Sequence, residues 1–240
     1  MNTIHIISNG DTDRIQKTIT ALKTYNLSYK IHKIPKHPTN GRLGCFLSHI
    51  KLYRYAQKHK LDYICVAEDN ICSSNQFNKY DQIQKDIQII QKQAWEVIYL
   101  GGWITNPFRL YHSTSYNTIY ETHATHGTSF YMIHKQLYQK ILSCYKDYIQ
   151  PNDIQHIDDV INLLAQKPYV SVPLLFYRDF QLKTTNLYYS NTIVNDLLGY
   201  FHSFYRHPLL ITFMQKCAVY WKCILLLVCI LIGFVLYKFK

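Results

Sequence analysis

Apolar positions along this chain recur at two spacings, and the switches between them mark out strands and helices in alternation. Residues 3–7, Thr-Ile-His-Ile-Ile, are a short run of strand formers that stops at the turn residues Ser8, Asn9, Gly10 and Asp11. Beyond the turn Ile15, Ile19, Leu22 and Tyr25 share one face of a helix, with Asp11 or Thr12 as its N-cap. A second strand is expected over 28–32, and the polar, Pro-containing stretch 35–41 reads as a loop. Phe46, Ile50, Tyr53 and Ala56 return to helical spacing, while Lys51, Arg54, Lys58 and Lys60 take the other side. This helix leads into the continuous apolar run 63–67, a buried strand that stops on Glu68, Asp69 and Asn70.

The second half repeats the theme with less regularity. Ile83, Ile87 and Ile90 predict a helix over 77–92, and residues 95–100 a buried strand ending at Gly101 and Gly102. The polar and aromatic stretch to His126 has no clear period and reads as loop and short strands. A strand is expected over 128–133, and a helix over 134–145 with Leu137, Ile141 and Leu142 inward. Asp158 and Asp159 open a further apolar helix over 160–165, where acidic residues suit the positive N-terminal end of the helix dipole. Residues 170–173 form a late strand, with Pro173 at an edge or an end. Strand–helix–strand order of this kind predicts an α/β fold, a mostly parallel mixed sheet flanked by helices.

The last part differs in kind. Residues 218–237 carry one charge, Lys222, and at about 1.5 Å per residue span roughly 30 Å, the thickness of a bilayer core. Tyr220 and Trp221 suit the interface, and Lys238 and Lys240 close the far end, with a buried core helix as the alternative. The expected organisation is a catalytic body over 1–190, a basic and aromatic linker over 191–217, a transmembrane anchor over 218–237 and a short tail over 238–240. The start of the chain has no signal-peptide pattern, so the body is expected in the cytosol on a single-pass C-terminal anchor.

Composition narrows this picture modestly. Lys and Arg total 26 against 15 Asp and Glu, a formal +11, which is compatible with an anionic ligand, membrane headgroups or nucleic acid alike. No Lys/Arg run resembles a nucleic-acid arm, and no nucleic-acid partner is expected. The seven cysteines, at 45, 65, 72, 144, 217, 223 and 229, contain no C-x-x-C pair and indicate neither a zinc site nor a disulfide framework.

Glu68, Asp69 and Asn70 form a hard-oxygen cluster suited to Mn²⁺ or Mg²⁺, although an acidic pair at a strand end also serves as a solvated loop. A second acidic pair at Asp158 and Asp159 suggests a division of labour. A metal at the first pair would neutralise a diphosphate leaving group, while a carboxylate of the second deprotonates an acceptor hydroxyl. His123, His126 and His156 are further candidate ligands beside the ordinary reading as surface histidines.

The ordered set Gly44-Cys45-Phe46-Leu47-Ser48-His49, the apolar strand into Glu68-Asp69-Asn70-Ile71, and Trp95 to Gly101 resembles glycosyltransferase family 25, the lipopolysaccharide and collagen galactosyltransferase type. Asn9, Arg14, Gly127, Thr128, Tyr131 and Asp158 extend the resemblance across about 4–187. It implies a GT-A-like fold, a UDP-galactose or UDP-glucose donor, a divalent metal, usually Mn²⁺, and a glycan or protein hydroxyl acceptor. By the same resemblance Asn9, Arg14, Gly44, Ser48, His49, Gly127 and Thr128 would lie at the donor, with Gly44 in a close turn. Glu68, Asp69 and Asn70 would hold the metal, and Asp158 with Asp69 would carry the catalysis. For His49 a structural hydrogen bond and a catalytic role both stay open. On this reading Asp69→Ala abolishes activity and leaves the fold intact. Two positions depart from the family pattern: Arg42 replaces an acidic residue, and Asn70 replaces the third acid of the strand-end cluster, which leaves a degenerate, inactive relative as the alternative.

Overall fold

The computed structural model of the chain describes residues 3–74, 77–104, 111–112, 116–122, 125–150 and 153–179. The expected linker and anchor, and His123, lie outside these residues. Among the described residues no helix is long and apolar enough to cross a membrane.

The N-terminal pattern folds as read, with β1 (Ile4–Ser8), α1 (Thr12–Lys23), β2 (Tyr29–Lys33), α2 (Gly41–Lys58) and β3 (Tyr63–Glu68) in order. Asp11 caps α1 by accepting the Asp13 and Arg14 amides, and Asn40 caps α2 by accepting from Leu43. That second cap corrects the reading of Gly44. It lies inside α2 rather than in a turn, at a close approach where a Cβ would stand 2.8 Å from His37 Cβ.

The remaining elements are β4 (Ile71–Ser73), α3 (Phe77–Ile90), β5 (Val97–Ile104), β6 (Tyr111–His112), β7 (Ile119–Glu121), β8 (Thr125–His134), α4 (Lys135–Cys144), a short 3₁₀ turn (Tyr145–Tyr148), β9 (Ile149–Gln150), β10 (Asp153–Ile154), α5 (Ile157–Leu164), β11 (Pro168–Ser171) and β12 (Phe176–Arg178). The main sheet runs β2-β1-β3-β8-β5-β11-β7-β6, with β12 paired to β5 and β4. β1 is parallel to β2 and β3, and β5 to β11 and β12, while β8 runs antiparallel between β3 and β5. Most strands therefore point one way, and β8 is inserted against them at the centre.

Strand alternation sorts the buried residues onto two faces. Ile4, Ile6, Cys65, Ala67, Ile98, Leu100, Phe130 and Met132 pack with Leu22 of α1 and Ile83 and Ile87 of α3. Ile64, Val66, Val97, Tyr99, Tyr131 and Ile133 pack with Phe46, Ile50 and Tyr53 of α2, Leu137 and Ile141 of α4, and Val160 and Ile161 of α5. The result is a helix–sheet–helix sandwich buried on both sides, which explains why the central strands read as continuous apolar runs.

One polar feature interrupts the N-terminal edge. His5 Nδ1 lies 2.9 Å from His32 Nε2 across β1 and β2, against the Tyr55 ring. Burial first, then the neighbouring His32 and Lys30 charges, lowers His5 from 6.5 to about 4, and burial lowers His32 as well. The folded chain thus resists protons that the unfolded chain takes up near 6.5. This contribution is complete above that pH and is lost as pH falls toward about 4. Urea midpoints measured from pH 7 down to pH 5 should fall, and His5→Phe combined with His32→Phe should flatten the slope.

Candidate functional site

The carboxyl ends of the parallel strands and the start of the antiparallel β8 meet at one edge of the sheet, the position where open α/β sheets bind ligands. After β1 the chain turns at Gly10, whose φ of +95° favours glycine. Ser8 Oγ accepts from the Gly10 amide and Asn9 Oδ1 from the Asp11 amide, each at 3.0 Å, so both side chains shape the turn that starts α1. Arg14 then reaches across from α1 to the end of β3. Its Nε and a terminal nitrogen donate to Asp69 Oδ1 at 2.8 and 2.6 Å, and both side chains are buried.

Glu68 and Asp69 therefore serve different neighbours. Asp69 faces Arg14, whereas Glu68 Oε1 accepts from Thr128 Oγ1 at 2.8 Å and lies 3.9 Å from His49 Nε2. Burial pushes the Glu68 carboxyl upward, but His49, the Arg178 charge and the Thr128 hydroxyl outweigh it and hold the group at about 2, ionised at neutral pH. Asn70 is buried in the turn between β3 and β4, its carbonyl accepting from the Asp179 amide at 2.6 Å. Asp69 Oδ2 and Asn70 Oδ1 are buried oxygens without a hydrogen-bond partner among the described residues. Such orphaned hard-oxygen atoms fit a divalent cation.

Asp158 stands in the first turn of α5, where its Oδ2 accepts from the Gly127 amide at 2.9 Å. Gly127 has a φ of +84°, and Asn162 of the same helix donates to the Thr125 carbonyl, so α5 is tied to the start of β8. Ser48 donates to the Gly44 carbonyl at 2.6 Å within α2, which gives it a local role. His49 is fully buried, its Nδ1 2.7 Å from the Tyr131 hydroxyl, itself 2.7 Å from the Tyr53 hydroxyl. His156 is the N-cap residue of α5 without a side-chain capping bond, and His126 is described only in its backbone.

The structure thus joins Glu68, His49 and Thr128 in one cluster, Arg14 and Asp69 in a second, and Asp158 and Gly127 in a third, all at the same sheet edge. Three participants escaped sequence reasoning: Cys45, Tyr131 as the anchor of His49, and Arg178. Cys45 Sγ, a nitrogen of His49 and an oxygen of Glu68 lie within 4.8 Å of one another. The i, i+4 spacing of Cys45 and His49 on one helical face was a usable signal.

The model of glycosyltransferase family 25 (LPS biosynthesis protein) matches residues 6–161. Inactive glycosyltransferase 25 family member 3 of Mus musculus is 31% identical over 90 residues, 37% of this chain and 14% of that protein. Procollagen galactosyltransferase 2 of Mus musculus is 36% identical over 64 residues, 26% of this chain and 10% of that protein. The chain thus spans a small part of the curated relatives it matches. Among solved structures, a glycosyltransferase involved in glycosylation of the major capsid of PBCV-1 aligns with a TM-score of 0.40 at 10% identity, covering 73% of this chain and 92% of that one.

Proposed function

The chain belongs to glycosyltransferase family 25, and from that premise we propose that it transfers a sugar, galactose or glucose, from a UDP-sugar to a glycan or protein hydroxyl. The observation that carries this reading is that Glu68, the orphaned oxygens of Asp69 and Asn70, and the Gly127-held carboxylate of Asp158 all stand at the strand-end edge of the sheet. Glu68, Asp69 and Asn70 would hold Mn²⁺ or Mg²⁺, which when bound supplies Lewis acidity toward the diphosphate. Arg14 fixes the rotamer of Asp69, and the turn through Asn9 and Gly10 offers backbone to the nucleotide. Asp158, held by the Gly127 amide, takes the proton of the acceptor hydroxyl. The acceptor oxygen bonds to the sugar as its bond to the diphosphate breaks, and UDP leaves. A membrane anchor over 218–237, with the body in the cytosol, completes the proposal.

A second reading is favoured by one feature: Asp69 spends an oxygen on Arg14, and its neighbour Asn70 is neutral, so the cation site carries less free charge than three acids would supply. On that reading the chain is a catalytically degenerate membrane interaction protein. Calorimetry and UDP release on the purified full chain separate the two. The transferase reading expects UDP-sugar binding that tightens with Mn²⁺, and turnover. Turnover appearing only in Asn70→Asp establishes the degenerate form, and absence of both turnover and donor binding, with or without metal, overturns the transferase reading.

A further inference from the structure

Cys45, His49 and Glu68 make a donor set of a different chemical character from the oxygen cluster beside it. We propose that thiolate, imidazole and carboxylate here form a three-ligand site for a borderline-soft divalent cation of the zinc class, with a fourth position left for water or a ligand oxygen. The geometry comes from two elements. Cys45 and His49 are one turn apart on α2, and Glu68 ends the adjacent β3, with the three ligand atoms within 4.8 Å of one another. Zinc–ligand bonds are about 2.0–2.3 Å, so small side-chain rotations close the set round an ion.

The independent observation is His49. Its ring is 1% exposed, yet among the described residues Nε2 has no hydrogen-bond partner, and it faces Glu68 Oε1 at 3.9 Å. A buried imidazole nitrogen without a hydrogen bond is costly, and a cation shared with Glu68 relieves it. The opposite ring nitrogen is held by Tyr131, which is backed by Tyr53, the kind of outer hydrogen bond that orients a metal-binding histidine. The ligand set also selects. Thiolate and imidazole favour zinc, whereas Mn²⁺ and Mg²⁺ prefer the oxygens of Asp69 and Asn70. Glu68 belongs to both ligand sets, so a zinc-class ion here would compete with the donor cation for its carboxylate. The proposal does not depend on the chain turning over a sugar nucleotide.

Cobalt titration of the chelator-stripped full chain tests it. The expected result is uptake of one Co²⁺ with thiolate-to-metal charge-transfer absorption and displacement by Zn²⁺. Cys45→Ser should remove the charge-transfer band, and Tyr131→Phe should weaken uptake about 10–100-fold. Asn70→Ala should leave cobalt uptake unchanged while weakening Mn²⁺-dependent donor binding, so failure of this proposal and failure of the transferase reading give different results. Absence of stoichiometric cobalt binding in the unaltered chain, or a charge-transfer band that survives in Cys45→Ser, overturns the assignment.

Discussion

Asp69→Ala should destabilise the protein by about 3–5 kcal/mol, because it leaves the Arg14 guanidinium buried without the carboxylate that accepts two of its hydrogen bonds. A strand-end acid reads from sequence as a solvent-facing ligand whose removal spares the fold. Its burial at 4% exposure and its pairing with a residue 55 positions away make it structural as well. Urea unfolding of the full chain, followed by tryptophan fluorescence, gives the loss directly. Arg14→Met combined with Asp69→Leu should recover most of it, since an apolar pair of similar volume replaces a buried ion pair at little cost. If Asp69→Ala unfolds at the unaltered midpoint, the ion pair contributes nothing and the side chain is available to a cation alone. Loss of activity in Asp69→Ala is therefore interpretable only beside the stability measurement.

Asp158→Asn is the complementary experiment, with its effect on rate rather than on folding. The amide keeps an oxygen that can accept the Gly127 N–H, so α5 and the start of β8 should stay in place. What the substitution removes is the basic oxygen that takes the acceptor proton. On the transferase reading kcat should fall about 10²–10⁴-fold, the range typical of a general base, with donor affinity and the urea midpoint unchanged. An unaltered kcat would remove Asp158 from the chemistry and leave it a tether between α5 and Gly127.

Much of this architecture is readable from residue order, because the elements nearest the N-terminus obey local rules. Asp11 and Asn40 are caps, Ile15, Ile19 and Leu22 keep helical spacing, and the strand at Ile64 to Ala67 is buried on both faces. What resists reading is whatever depends on distant partners. β4 and β12 are three residues each and exist because they pair with each other, so neither has a period of its own. The start of β8 at Thr125 falls in a polar stretch whose strand character comes from β5, against which the register shifts twice. In the site, residue identity was recoverable and company was not. Glu68 and Asp69 are neighbours in sequence but take different partners, Thr128 with His49 for one and Arg14 for the other. Cys45 passed as a motif letter because burial, which pushes its thiol upward, is invisible without the fold.

The reversed strand at the centre of the sheet also bears on how the chain comes together on the ribosome. β3 and β5 never touch as partners; each pairs with β8, which is made only after residue 124. While the first hundred residues emerge, the β2-β1-β3 unit can form, but one side of β3 stays an open row of amides and carbonyls, as does β5. The late strand fills both gaps at once and delivers Thr128 to Glu68 in the same event. Joining β3 to β5 and bringing Thr128 to Glu68 are thus a single step of assembly, and Asp158 of α5 and the partner strands β11 and β12 of β5 arrive only after it.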